Sequence, residues 1–289
     1  MSIRQSELIL NPDGSVYHLN LKPENIANDI IFVGDQDRVE SISNHFDSIE
    51  FTTQKREFKT STGIYKGKRL TVISTGIGPD NIDIVLNELD ALVNIDLKTR
   101  KLKSILTALN IVRIGTSGSL QKDIPVDSFL MSSHALDLNG MLHSYQIEEI
   151  ANQEIENAFV KHTNWSPKKA HPILIKNSAV LAKKLMSEKI LTGITATAGG
   201  FYGPQGRVLR LPLQDAAINS KIDSFNWKGA RITNLEMETS AIYGLSQLLG
   251  HHAVSMNAII ANRANGTFSK DYKKVINNLI EYSLGKLVE

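Results

Sequence analysis

Asn234-Leu235-Glu236-Met237-Glu238-Thr239-Ser240-Ala241 places two carboxylates one residue apart where a strand-like apolar segment gives way to a helical pattern. Downstream, Ala241, Ile242, Leu245, Leu248 and Leu249 recur at the spacing of a helix with one buried face. Residues two apart on a helix point to opposite sides, so a helix would offer only one of these acids to a site. At a strand-to-helix junction the backbone is not yet helical, and both acids can line one pocket. The plainer alternative is a pair of acids at a helix N-terminus, where the dipole favours negative charge.

The same alternation of β-rich runs with helical patterns extends outward in both directions. Residues 29–33 read as a strand ending in Gly34-Asp35, followed by a helix over residues 37–46. Residues 51–61 and 68–74 read as paired strands joined near Gly63 and Gly67. Residues 82–93 form an amphipathic helix with Ile82, Val85, Leu86 and Leu89 on one face. Ile111-Val112-Arg113-Ile114 is a short buried-type strand closing on Gly115. Residues 126–132, 191–198 and 252–261 read as further strands, and residues 177–188 and 270–287 as helices. This order predicts an α/β layer structure around a largely parallel or mixed sheet. No Pro/Gly/Ser-rich linker or internal repeat divides the chain, so residues 1–289 are expected to form one domain. Ligands bind such sheets beyond the carboxyl ends of the strands. Four of those ends carry small and polar residues: Gly34-Asp35, Ser74-Thr75-Gly76, the segment from Arg113 to Gly118, and Glu236 to Glu238.

Composition excludes several classes. A net charge of +2 is too small for a nucleic-acid surface as the main theme. The absence of cysteine removes thiol catalysis, disulfides and cysteine-ligated metal. No signal-peptide core or membrane-length apolar run is visible. The chain therefore reads as a soluble cytoplasmic protein with no membrane or nucleic-acid partner.

Two constellations suggest chemistry. Arg113-Ile114-Gly115-Thr116-Ser117-Gly118 reads as a strand end and a turn whose backbone N–H groups, with the Thr116 hydroxyl and Arg113, can cradle an anion. An ordinary strand-to-turn transition with a surface arginine is the alternative. Phe201-Tyr202-Gly203-Pro204-Gln205-Gly206-Arg207 combines aromatic rings with an amide and a guanidinium, a set suited to a base with alternating carbonyl and N–H groups. A plain surface loop is the alternative there. No Gly-Lys-Ser/Thr phosphate loop and no complete dinucleotide fingerprint is present.

These segments, with Tyr17-His18-Leu19, Gly34-Asp35-Gln36-Asp37-Arg38, Arg56-Glu57-Phe58 and Ser74-Thr75-Gly76-Ile77-Gly78, occur in an order that resembles the nucleoside phosphorylase family of the purine/uridine phosphorylase type. The uridine branch is the nearer match. The resemblance implies a single α/β domain with a mixed central β-sheet flanked by helices, assembled as dimers or as a hexamer of three dimers. It implies phosphate held by Gly34, Arg38, Arg113 and Thr116, with Arg56 reaching in from a neighbouring subunit. Ribose would be held by Met237 and Glu238, and by His18 across the interface. The base would be read by Gln205 and Arg207 and stacked near Phe201. A monovalent cation near Glu57, between subunits, is the one bound ion implied; otherwise no cofactor is required and inorganic phosphate is the co-substrate.

The implied reaction is phosphorolysis of uridine, with Arg113, Arg207 and Glu238 as the catalytic groups. The purine branch places an aspartate where Asn262 stands here, which favours a pyrimidine base. A purine nucleoside phosphorylase is the alternative enzyme, and a non-catalytic nucleoside-binding protein the alternative outside the enzymes.

Overall fold

The computed structural model describes residues 2–289. Its first strand, β1 (Asp29–Val33), sends Ile30 and Phe32 into one apolar cluster and Ile31 and Val33 into another on the opposite face. A strand covered on both faces must be apolar on both, which is why this segment reads as an unbroken run. The chain continues through α1 (Gln36–Ser43), β2 (Ser48–Lys55), β3 (Phe58–Tyr65), β4 (Lys68–Ser74) and α2 (Pro79–Asn94). A small hairpin, β5 (Ile95–Asp96) and β6 (Lys101–Leu102), precedes β7 (Asn110–Ser119) and β8 (Phe129–Asp137). Then come α3 (Gln153–Thr163), β9 (Ile173–Lys176), α4 (Ala179–Leu185), β10 (Ile190–Thr197), α5 (Ile218–Asp223) and β11 (Asn226–Trp227). The chain ends with β12 (Ala230–Glu236), α6 (Thr239–Leu248), β13 (His252–Asn262), β14 (Thr267–Phe268) and α7 (Tyr272–Val288).

Every strand but β5 and β6 joins one sheet, in the order β11-β12-β10-β8-β13-β7-β1-β4-β3-β2, with β9 beside β8 and β14 beside β13. It is mixed: β1 runs parallel to β4 and β7, while β8 and β13 are antiparallel. The expected single α/β domain with a helix-flanked mixed sheet is what the chain forms. One feature was not anticipated. Asn234 and Leu235 of β12 also pair with Ser119 and Gly118 of β7, so β7, β13, β8, β10 and β12 close into a ring. Register shifts in β10 at Gly193/Ile194 and in β13 at Ile259/Ala261 add the local twist that closure requires.

Helices α2 and α6 cover one face, through Ile82, Leu86 and Leu89 of the first and Ala241, Ile242 and Leu245 of the second. Helices α1, α4 and α7 cover the other, with Val39, Leu181, Leu279 and Ile280 in its core. Helix α6 is buried on all sides over residues 239–246, as its small and apolar composition allows. Among the described residues no helix is long and apolar enough to cross a membrane.

Three expectations change. Residues 51–61 are not one strand: β2 and β3 pair as far as Lys55 and Phe58, leaving Arg56 and Glu57 as a two-residue turn. Arg56 adopts a left-handed φ of 55° without the Gly or Asn that normally signals such a turn. The segment from Arg113 to Gly118 is no turn but the second half of β7, paired with β13 through its whole length. Helix α3 and strand β9 lie in a region assigned no element from the sequence; α3 buries only Ile155 and Phe159 among its large apolar residues, too few to mark a helical stripe.

Candidate active site

Strand alternation aims Arg113 at the α2/α6 face, the face that Ile111 enters, and Gly115 follows on the same side. Across the ladder, Ser255 pairs with Arg113 and Asn257 with Gly115. The Arg113 guanidinium lies back over this row and donates from Nη1 to Asn257 Oδ1 at 3.1 Å. Its Nη2 donates to Glu238 Oε2 at 2.7 Å and lies 3.2 Å from Glu236 Oε2. Burial opposes the charge on Arg113, but Glu236 and Glu238 more than offset it and hold its pKa above the ordinary arginine value. A Cβ on Gly115 would lie 2.0 Å from Arg113 Nη1. Gly115→Ala is therefore expected to displace the guanidinium and lower kcat/KM on the order of 100-fold, the scale for a misplaced binding group. Steady-state kinetics alongside a thermal melt would check this; unchanged kinetics would mean that the guanidinium does not need this seat.

Both acids of the junction line the cleft, as the non-helical backbone there permits, but their roles divide. Glu236 ends β12 and accepts from the Glu238 N–H at 3.0 Å, the Thr239 N–H at 2.9 Å and the Thr197 hydroxyl at 2.6 Å. It caps α6. Glu238 takes Arg113 on one oxygen and the Gly78 N–H on the other, at 2.9 Å. Gly78 stands at the N-cap of α2 with φ of 103°, a conformation that only glycine adopts readily. Burial pushes the Glu238 pKa up; Arg113 opposes this, Glu236 adds to it, and the net shift is upward.

On the other side of Arg113, Gly34 ends β1 and Asp35 caps α1 by accepting from the Asp37 N–H at 3.0 Å. The first turn of α1 thereby delivers Arg38, whose Nη1 donates to the Ile114 carbonyl at 3.3 Å. Burial, then the charge of Arg113, lowers the Arg38 pKa. Two guanidinium groups that repel one another across a half-buried cleft favour an anion between them. The expected cradle of turn amides is not available in the form foreseen, because on the β13 side the backbone from Arg113 to Gly118 is engaged in the ladder. On the cleft wall this segment presents side chains, the Thr116 hydroxyl and the Arg113 guanidinium among them.

The loop from Phe201 to Arg207 closes the far end. Arg207 Nη1 donates to Gln205 Oε1 at 2.6 Å, and its guanidinium stacks 3.8 Å from the Phe201 ring centre. Arg263, which the sequence reading passed over, donates to the Gln205 carbonyl at 2.6 Å. Burial and Arg263 together lower the Arg207 pKa. Asn262 does not occupy the position expected of it. Its Nδ2 donates to the carbonyls of Gln121 and Ile124, at 2.9 and 2.7 Å, and its Oδ1 accepts from the Asn265 N–H. It braces a loop and does not line the cleft; one step along the strand turns a side chain to the other face. The strand-end rule that singled out Arg113 would have flagged Arg263 as well.

Gly34, Arg38, Arg113, Thr116, Glu238 and Met237 thus share one cleft of about 790 Å³ with Phe201, Gln205, Arg207 and Glu57. Ile77, Asn81 and Phe268 also line it; Ile77 belongs to the motif over residues 74–78 but was given no role, and Phe268 carried no recognisable signal in the sequence. Arg56 and His18 lie outside it. Arg56 is exposed at the β2–β3 turn, its carbonyl accepting from Gln36 Nε2, and His18 Nδ1 sits 2.6 Å from Glu88 of α2.

Comparison with known proteins agrees with this geometry. Residues 29–284 match the model of the phosphorylase superfamily. The uridine phosphorylase of Thermococcus kodakarensis is 28% identical over 91% of this chain and 83% of its own length. A purine nucleoside phosphorylase of the DeoD type from Listeria monocytogenes is 24% identical over 92% and 97%. The structure of a Trypanosoma brucei nucleoside phosphorylase, described as showing uridine phosphorylase activity, superposes with a TM-score of 0.88 at 30% identity, covering 97% of this chain and 99% of that one. With a family match spanning most of its length and a site at the carboxyl ends of its strands, the chain belongs to the phosphorylase superfamily.

Proposed function

We propose that this protein is a pentosyltransferase that cleaves uridine with inorganic phosphate, giving uracil and ribose 1-phosphate. The observation that carries the reading is one cleft with two different polar ends: the paired cations Arg38 and Arg113 at one, and the Gln205–Arg207 pair under Phe201 at the other. A phosphate oxygen forms the new bond to C1′ as the bond from C1′ to the base nitrogen breaks. The electron pair of that bond leaves with uracil, which is then protonated from solvent. Gly34, Arg38, Arg113 and Thr116 hold the phosphate. Met237 and Glu238 hold the ribose, and Glu238 stabilises the positive charge that develops at C1′. Gln205 reads the base, Phe201 packs on it, and Arg207 donates to the carbonyl where negative charge grows.

Arg56 and His18, outside their own cleft, suit a homo-oligomer in which each completes a neighbour's site. Among the described residues no group of three or more acidic or histidine side chains gathers at Glu57, so a monovalent cation there would draw oxygens from a second copy. The relatives named uridine phosphorylase support the base assignment, as does the amide–guanidinium pair.

The experiment is uridine turnover with and without phosphate, following uracil and ribose 1-phosphate. Phosphate-dependent release of both is expected. Release of uracil without phosphate would make the enzyme a hydrolase, and turnover of inosine in preference to uridine would move it to the purine branch. Arg207→Ala is expected to lower kcat/KM for uridine on the order of 100-fold, the loss typical of one donor to developing charge. Its KM for phosphate should hardly move; a normal kcat/KM for uridine in this variant would dismiss the base-reading role.

A further inference from the structure

At the carboxyl ends of three neighbouring parallel strands, Thr197 of β10 pairs with Asp137 of β8 on one side and Glu236 of β12 on the other. The first turn of α6 sits on this row. Ser240 donates its hydroxyl to Asp137 Oδ1 at 2.6 Å and its backbone N–H to Thr197 Oγ1 at 3.0 Å. A hydroxyl has one proton to give. With the Ser240 N–H held at Thr197 Oγ1, that proton is directed to Glu236 Oε1, 2.6 Å away. Thr197 and Ser240 are fully buried, and Thr197 does not line the cleft.

We infer that Thr197 is a positioning residue: its hydroxyl fixes the Glu236 carboxylate, and through Glu236 the guanidinium of Arg113. Its bearing on catalysis rests on the phosphorolysis reading. The same Arg113 Nη2 is shared between Glu236 at 3.2 Å and Glu238 at 2.7 Å. That unequal division leaves Arg113 bound mainly to the carboxylate facing the cleft. Without the Thr197 proton, Glu236 Oε1 keeps only the Thr239 N–H at 3.1 Å. The carboxylate is then free to turn towards Arg113 and draw the guanidinium away from Glu238. The Ser240 N–H, one of the first-turn amides with no intrahelical acceptor, loses its partner at the same time.

The test compares Thr197→Ser, Thr197→Val and Thr197→Cys. Serine keeps the hydroxyl and should behave as wild type. Valine keeps the shape and should raise the KM for phosphate about tenfold, the scale of a lost hydrogen bond to a charged group, with a smaller change in kcat. Cysteine, a weak donor of similar size, should fall between. A purely structural role would lower the melting temperature and leave the phosphate KM of the folded enzyme alone. Wild-type phosphate KM in the valine and cysteine variants overturns the inference, and so does equal damage in serine and valine, which would point to the methyl group. If the valine protein does not fold, the cysteine–serine comparison decides. If wild type turns over no uridine, the function fails separately. A crystal structure of the cysteine variant then decides Thr197: Arg113 shifted away from Glu238 supports it, and Arg113 and Glu236 unmoved overturn it.

Discussion

Arg113→Ala is expected to remove turnover almost entirely, with kcat/KM down by on the order of 10³-fold or more, because it deletes the buried, charge-assisted donor proposed for phosphate. The same change should destabilise the fold. Arg113 is the cation that both Glu236 and Glu238 face, and breaking a buried pair by removing one partner costs about 3–5 kcal/mol. Two companion variants separate these effects. Arg113→Lys keeps a charge but not the planar fork that reaches Asn257 and two carboxylates together, so it should recover much of the stability and little of the activity. Arg113→Ala combined with Glu238→Gln removes one of the two orphaned negative charges, and should melt higher than Arg113→Ala alone while staying inactive. The measurements are thermal melts and phosphate titrations at saturating uridine. An Arg113→Ala protein with near-normal kcat and phosphate KM would show that Arg113 only neutralises the two acids.

The pattern of strand ends points to the cleft, because alternation of apolar strands and helices is written in local spacing. β1, β12 and the start of α6 were legible for that reason. What stayed hidden depends on pairing between distant segments. The run through Gly115 looks like a turn because glycine and hydroxyl residues are poor strand formers. Yet β13 supplies a partner for every residue of it, and Gly115 is there to make room for a guanidinium. The turn at Arg56 was concealed in the same way, since a left-handed arginine leaves no mark in the sequence. Glu236 and Glu238 could not be told apart from spacing alone. Only the junction's geometry gives the first to the backbone of α6 and the second to Arg113 and the Gly78 N–H. Asn262 was misplaced for the same reason: its amide is held by the carbonyls of Gln121 and Ile124, far away in the chain, and so turns away from the cleft.

Glu238→Gln offers a test of charge with almost no change of shape. The amide can still accept from Gly78, but it cannot neutralise Arg113 or favour positive charge at C1′. A loss on the order of 100-fold in kcat is expected at neutral pH, comparable to removing one preorganised electrostatic group. The pH dependence is the sharper part. Burial raises the Glu238 pKa above its ordinary value, so as the pH falls wild type takes up the Glu238 proton earlier than an exposed carboxylate would and comes to resemble the glutamine variant. The ratio of wild-type to variant kcat/KM should therefore start near one in acid and climb as Glu238 ionises, then level off. Phosphate also titrates, but it does so equally for both proteins and cancels in the ratio. Stability should move in the opposite sense. A carboxyl whose pKa is raised on folding binds its proton more tightly in the native state, so its contribution is present at low pH and lost as pH rises through the folded value. Removing the group should flatten the fall in wild-type stability between the ordinary carboxylate range and that folded pKa. Thermal melts across pH should show the two proteins converging in acid, where both carry a neutral side chain at position 238. A ratio of kcat/KM values that stays flat with pH would mean that the charge of Glu238 plays no part in the reaction, and that its place in the cleft is to seat Arg113 against Gly78 at the N-terminus of α2.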